Sequence, residues 1–203
     1  MDFEFEKIKS FDLEKIKSAR IILLIGDQVE FIKDEILKRQ KNITVFSNDD
    51  QDSRDHLTKL IDEQRAKSMQ MRENIPYHLI DFDSFPMTIH FKNCLSESNW
   101  MKDMVFKEIF MNGRHYNINV LVSEKFPIVM PPELRYQLDY IFVSSFDHQN
   151  HDLKKFYMMY FGIFENFKKF QEFFHQILDN HHLMVYDLTF HSENIMDKIY
   201  YGN

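Results

Sequence analysis

The stretch "RIILLIGDQVEFIKDEILKRQ", residues 20–40, decides the fold. An apolar run over 19–26 ends on Gly26, and a helix-like segment over 29–40 follows. Strand, turn and helix in that order outline a phosphate-cradling loop. Such a loop reads G-x-x-x-x-G-K-[ST]. Its glycines let the backbone wrap the phosphates with N–H groups inward, its lysine meets the outer phosphates, and its hydroxyl holds Mg²⁺. Gly26 is in place, but Phe31 stands at the second glycine, Lys33 is one position late, and Asp34 replaces the hydroxyl. A phenylalanine does not readily adopt glycine's conformations. Asp27 and Glu30 also place negative charge beside a polyphosphate; two unit charges ~4 Å apart repel by roughly 4 kcal/mol in a partly screened site. No other glycine is followed by G-K or K-[ST], so ordinary phosphate-loop binding of ATP is not expected.

Outward from this stretch, strand-like and helix-like segments alternate. Strands are expected at 43–47, 78–82, 87–91, 118–124, 140–146 and 182–188, from their β-branched and aromatic runs. Helices are expected at 52–72, from a Ser96 cap to about Met111, and at 150–160 and 165–179. Leu57, Leu60, Ile61 and Met69 mark one face of the first; Trp100, Met101, Met104, Val105 and Ile109 repeat along the second. The pattern predicts βαβ units in an α/β fold, with a doubly wound, largely parallel sheet covered on both faces. Residues 1–18, where "EKIKS" occurs twice, read as a charged helical lead-in, and 19–203 as a single domain with no Pro-, Gly- or Ser-rich linker.

Composition narrows the classes. A chain of 203 residues, 44% hydrophobic and 28% charged, buries a sizeable core. Cys94 is the single cysteine, which excludes an internal disulfide and fits a reducing compartment. The opening "MDFEFEKIKS" is charged from its second residue, so a secretory signal is not expected. No apolar run nears the ~20 residues of a membrane span. A net charge of −7 argues against coating nucleic acid with the whole surface, and leaves room for a local basic patch or a ring pore. The ten histidines show no zinc spacing, and no metal site is expected.

Residues 94–143 carry the most specific signal: "FMNGRHYNIN" (110–119), preceded by "WMKD" and followed by a strand and "PPELR". Together with "YFGIFENFKKF" (160–170), this block resembles the genome-packaging ATPases of poxviruses and other large DNA viruses, in the FtsK/HerA superfamily. The resemblance implies a P-loop, RecA-like sheet, usually in a ring, that hydrolyses ATP to drive DNA into a capsid. It also implies two carboxylates closing a strand just before a "CLS" segment, one for Mg²⁺ and one to activate water. In "TIHFKNCLS" (88–96) those places hold Lys92 and Asn93. A glutamine implied after the next strand is replaced by Lys125 in "VLVSEKFP".

Three nucleotide-handling elements are altered together, which predicts a degenerate homologue without ATP turnover. Neither ATP nor Mg is expected as a cofactor. An active ATPase with an unorthodox site would use Lys33 with Asp81 and Asp83, which close the apolar run of "HLIDFDSF" (78–85). A third reading is a structural virion protein or nucleic-acid adaptor. Arg114 and Arg135 fall where the resemblance implies arginines; each either meets a γ-phosphate, across a ring interface in the case of Arg135, or braces its own fold. Asn112–Gly113 are expected to form a left-handed turn leaving the helix. Cys94 is expected to be buried structure, with His115 a companion only if the fold brings it near. Tyr157, Tyr160 and Phe161 read as a packed cluster ahead of a base-stacking platform. The partners implied are a homo- or hetero-oligomeric ring, DNA or capsid protein, in the host cytoplasm (a viral factory) or the virion.

Overall fold

A computed structural model describes residues 8–47, 53–76, 86–95, 99–145, 150–181, 183–192 and 194–202. The strands are β1 (Lys9–Ser10), β2 (Ile21–Ile25), β3 (Ile43–Phe46), β4 (Met87–Lys92), β5 (Ile118–Glu124), β6 (Tyr140–Ser144), β7 (Leu183–Asp187) and β8 (Ile199–Gly202). They form one sheet in the order β1-β8-β7-β6-β2-β5-β4-β3. From β6 to β3 every neighbour is parallel; β7 runs against β6 and β8, and β1 pairs parallel with β8. The helices are α1 (Val29–Lys38), α2 (Ser53–Asn74), α3 (Met104–Asn112), α4 (Pro132–Arg135), α5 (Asn150–Tyr160) and α6 (Phe167–His181).

The strands β2, β5, β6 and β7 are buried along their whole length, so both faces of the sheet must be covered. One face packs on α1, where Val29, Ile32 and Ile36 meet Ile22, Leu24, Leu121 and Phe142. The alternate residues, among them Leu23, Ile89, Val120 and Ile141, face the larger core beneath α2, α3, α5 and α6. In that core Trp100 packs edge-on to Phe46 and Phe91. Phe170 stacks on Phe161 at 5.0 Å and touches Phe156, Tyr157, Phe164 and Phe174. Tyr157, Tyr160 and Phe161 therefore belong to the packing, with Phe161 fully buried.

Several local features differ from the sequence expectation. Residues 8–18 are not a continuous helix: β1 adds to the sheet edge and a single 3-10 turn spans Leu13–Lys15. This lead-in is therefore joined to the same sheet as 19–203. β8 follows β7 as a further strand. The inward stripe of α2 runs through Leu57, Ile61, Gln64 and Ser68, leaving Met69 exposed. Gln64 and Ser68 satisfy the carbonyls of Tyr116 and His115. α3 starts at Met104, where the Asp103 carboxylate accepts from Val105 and Phe106 N–H, and Met104 faces outward. Trp100 and Met101 precede it in a 3-10 turn. Ser96 and the expected strand at 78–82 lie outside the described residues. Neither Asn112 nor Gly113 is left-handed; a 3-10 turn continues the helix and Asn117 takes that conformation at φ 57°. No described helix is long and apolar enough to cross a membrane.

Phe170→Ala should cost about 3–5 kcal/mol, the range for removing a buried ring. The measurement is a lower urea midpoint at unchanged m-value.

Candidate nucleotide site

In a parallel sheet, ligands meet the rim formed by the C-terminal ends of the strands, where helices begin. Here β2 gives way to α1 after only Gly26, Asp27 and Gln28. Their three amides are engaged within the protein. Gly26 N–H donates to the Glu124 carbonyl at 3.0 Å and Asp27 N–H to the Ser145 carbonyl at 3.0 Å. Gln28 N–H donates to Ser144 Oγ at 3.0 Å. A phosphate would need such amides turned toward it. Gly26, at φ 113°, is required for this closure: a Cβ there would stand 2.8 Å from the Ser145 carbonyl oxygen and 2.9 Å from that of Ser144.

Between this turn and the ends of β4 and β5, the cavity measures about 50 Å³, against ~300–1,000 Å³ for small-molecule sites; a separate pocket of about 220 Å³ opens on the other side of Gln28 and Phe31, toward Asn180 and Leu183. Gly26, Asp27 and Glu30 line the smaller cavity from one side, Asn93 from the turn after β4, and Ser123, Glu124 and Lys125 from the end of β5. Two of the positions singled out in the sequence, Asn93 and Lys125, thus converge with Gly26, whereas Lys92 is not among the described lining residues. Asn93 is left-handed at φ 48°, and its N–H donates to the Ser123 carbonyl.

Lys33 and Asp34 lie on α1 beyond its first turn. Although only 7% exposed, Lys33 is neutralised locally by an ion pair with Glu30, and Asp34 lies 3.6 Å away. Across from α1, His90 on β4 shares a hydrogen bond of 2.8 Å with Ser123 Oγ. Burial, helped by the positive charge of Lys33 and Lys92, pushes the His90 pKa down to about 4. Asp81 and Asp83 lie outside the described residues.

Both arginines sit at the other rim. Asp139, just before β6, accepts from Arg20 Nη1 at 3.0 Å, Arg114 Nη2 at 3.0 Å and Ile21 N–H at 2.8 Å. Arg114 also donates to the Gln137 carbonyl. It therefore ties together the starts of β2, β5 and β6, away from its own nucleotide rim. Arg135 donates to the Met159 carbonyl at 2.9 Å, at the C-terminus of α5, where a cation complements the helix dipole. Cys94 and His115 also lie at opposite rims, one after β4 and the other before β5. Burial and the nearby Glu124 charge push the Cys94 thiol up to about 12, far from a nucleophile's range.

Three residues were not singled out from sequence: Ser144 and Glu124, which hold this rim, and Asp139, which holds the other. Glu124 is buried and its carboxylate accepts the Leu95 N–H at 2.8 Å. A charge abutting an apolar run was the available signal for Glu124 and Asp139; Ser144 offered none. Among the described residues no cluster of His, Cys, Asp or Glu is placed to hold a metal.

The central strand bearing the Gly26 turn, with β5 between it and the strand ending in Lys92, defines a largely parallel α/β sheet that solved structures share. Among them are viral genome-packaging enzymes. The genome packaging NTPase B204 from Sulfolobus turreted icosahedral virus 2, in complex with AMPPCP, aligns with a TM-score of 0.54 at 12% identity, covering 91% of this chain and 98% of that one. B204, the DNA-packaging ATPase from Sulfolobus turreted icosahedral virus, gives 0.54 at 13% identity over the same shares. In sequence, the chain is 32% identical over 143 residues to the uncharacterized protein L437 of Acanthamoeba polyphaga mimivirus, covering 70% of this chain and 47% of that protein. It is 22% identical over 143 residues to the uncharacterized protein 075L of Invertebrate iridescent virus 6, covering 70% and 51%. The chain spans about half the length of these relatives. No protein-family model matches it.

Two outcomes follow for this rim. Gly26→Ala should destabilise the fold by about 2–4 kcal/mol through strain and overpacking, without rescue by Ser144→Ala, because backbone carbonyls also block the Cβ. His90 binds its proton more weakly folded, near pH 4, than at its ordinary 6.5. The unfolded chain therefore gains the extra proton first as pH falls. The stability gained by keeping His90 neutral is complete above pH 6.5 and declines toward pH 4. His90→Gln should flatten that part of the stability profile measured by urea titration.

Proposed function

We propose that this protein is a non-hydrolysing homologue of a viral packaging ATPase, acting as a structural or regulatory partner in genome packaging or virion assembly. The fold shared with B204 and the relatives in large DNA viruses support the packaging connection. The observation that carries the reading is the inward commitment of the Gly26, Asp27 and Gln28 amides beside a cavity of about 50 Å³. Lys33, the one lysine near the expected position, is held by Glu30. Asn93 and Lys125, lining that cavity, offer neither a base nor a metal ligand of carboxylate type. A partner of this kind would join a ring containing an active ATPase, or a capsid protein, and contribute surface where the active subunit contributes turnover.

The test has two arms. Calorimetry with Mg²⁺ and a slowly hydrolysed ATP analogue should show no binding, and purified protein should hydrolyse ATP no faster than a buffer blank. Mg²⁺-dependent hydrolysis that Lys33→Ala abolishes would overturn the reading in favour of an unorthodox active site. In the second arm, affinity isolation of the protein from infected cells should recover the virus's active packaging ATPase or its capsid protein. Recovery of neither would remove the packaging role.

A further inference from the structure

At the rim opposite the closed nucleotide loop lies a much larger cleft, about 660 Å³, within the range of small-molecule sites. It opens between residues 13–18 of the lead-in and the C-terminal end of α1, with Pro86 and Asn119 at the starts of β4 and β5. We propose that this cleft binds a small organic anion, a phosphomonoester carried on an apolar or aromatic body.

Charge is the first argument. Lys17, Arg39 and Lys41 line the cleft, all exposed, and none makes an ion pair among the described residues. Among the described lining residues Glu14 is the one carboxylate, so there three cations stand against one anion. The excess of two, in a chain of net charge −7, is a local reversal of field that would focus an anion. It matches a phosphomonoester, which carries about −1.5 to −2 at neutral pH. Free donors are the second argument. Gln40 Oε1 is turned toward Asn119 Nδ2 at 2.8 Å and Thr88 Oγ1 at 3.2 Å. The planar amide therefore points its NH₂ the other way, with no partner among the described residues. Asn119 is itself buried and pinned by the Arg20 N–H, so this polar floor is rigid. The third argument is the apolar wall: Ile16, Ile36 and Pro86 line the same cleft. They would cover a hydrophobic body while the cations hold its phosphate. Recognition here uses side-chain cations without the inward backbone amides that a phosphate loop adds to its lysine.

Phenyl phosphate is the probe, compared with phenol and inorganic phosphate by calorimetry and by amide chemical-shift mapping. Phenyl phosphate should bind at least tenfold more tightly than either fragment, and shifts should gather around Lys17, Arg39, Gln40 and Lys41. Combined Lys17→Ala, Arg39→Ala and Lys41→Ala should weaken binding at least tenfold at an unchanged melting temperature. Lys41→Ala alone should weaken it measurably, should the combined variant prove unstable. Absence of phenyl phosphate binding at millimolar concentration, indifference to these substitutions, or shifts confined to residues 26–34 would overturn the assignment.

Discussion

The close approach of Gly26 to the end of β6 governs the character of this molecule. A backbone lacking a side chain lies against Ser144 and Ser145, and the amides that follow turn inward to the carbonyl and hydroxyl they find there. Buried backbone donors must be paired, and here the pairing is internal. Once the turn is that tight, α1 begins at Val29, Phe31 is carried out to solvent, and Lys33 swings under the helix to Glu30.

The two rims of the sheet have consequently diverged. One is closed by backbone hydrogen bonds and short-range ion pairs. The other is clasped by Asp139 between Arg20 and Arg114 and then opens, beside α1, into the basic cleft. In the Asp139 clasp the carboxylate is buried while Arg114 keeps 40% of its side chain in water. Such an arrangement limits the desolvation cost that fully buried pairs incur. It gives both guanidinium groups a structural duty at the starts of strands.

The central strands were legible because strands buried on both faces must be continuously apolar, as in "IILLI" and "YIFVS". The strands β1 and β8 were not, since "KS" and "IYYG" owe their state to pairing with each other and with β7. Helical spacing located α2 and α3 but not their inward edges; Met69 and Met104 sit on the wrong side of the stripe. The turn chemistry at Asn112–Gly113 is displaced to Asn117 because the helix tightens into a 3-10 turn before ending. At the site, the misplaced Lys33 and the missing second glycine could be counted along the chain. What occupies the amides could not, because Ser144 lies 116 residues from Gln28. Arg114 and Arg135 each fall in a readable motif, and each donates to a carbonyl or a buried carboxylate of its own fold, partners that lie too far along the chain to be read from it.

The seating of Trp100 gives the protein a built-in optical gauge. The lone indole is 5% exposed and wedged among Phe46, Phe91 and Phe106. A buried indole emits to the blue of an exposed one, so its emission should redden when the packing beneath α2 and α3 loosens. The basic cleft lies on the far side of the sheet, so a ligand settling there would leave this emission unchanged. Global collapse and local occupancy are thereby separable in a single unlabelled sample.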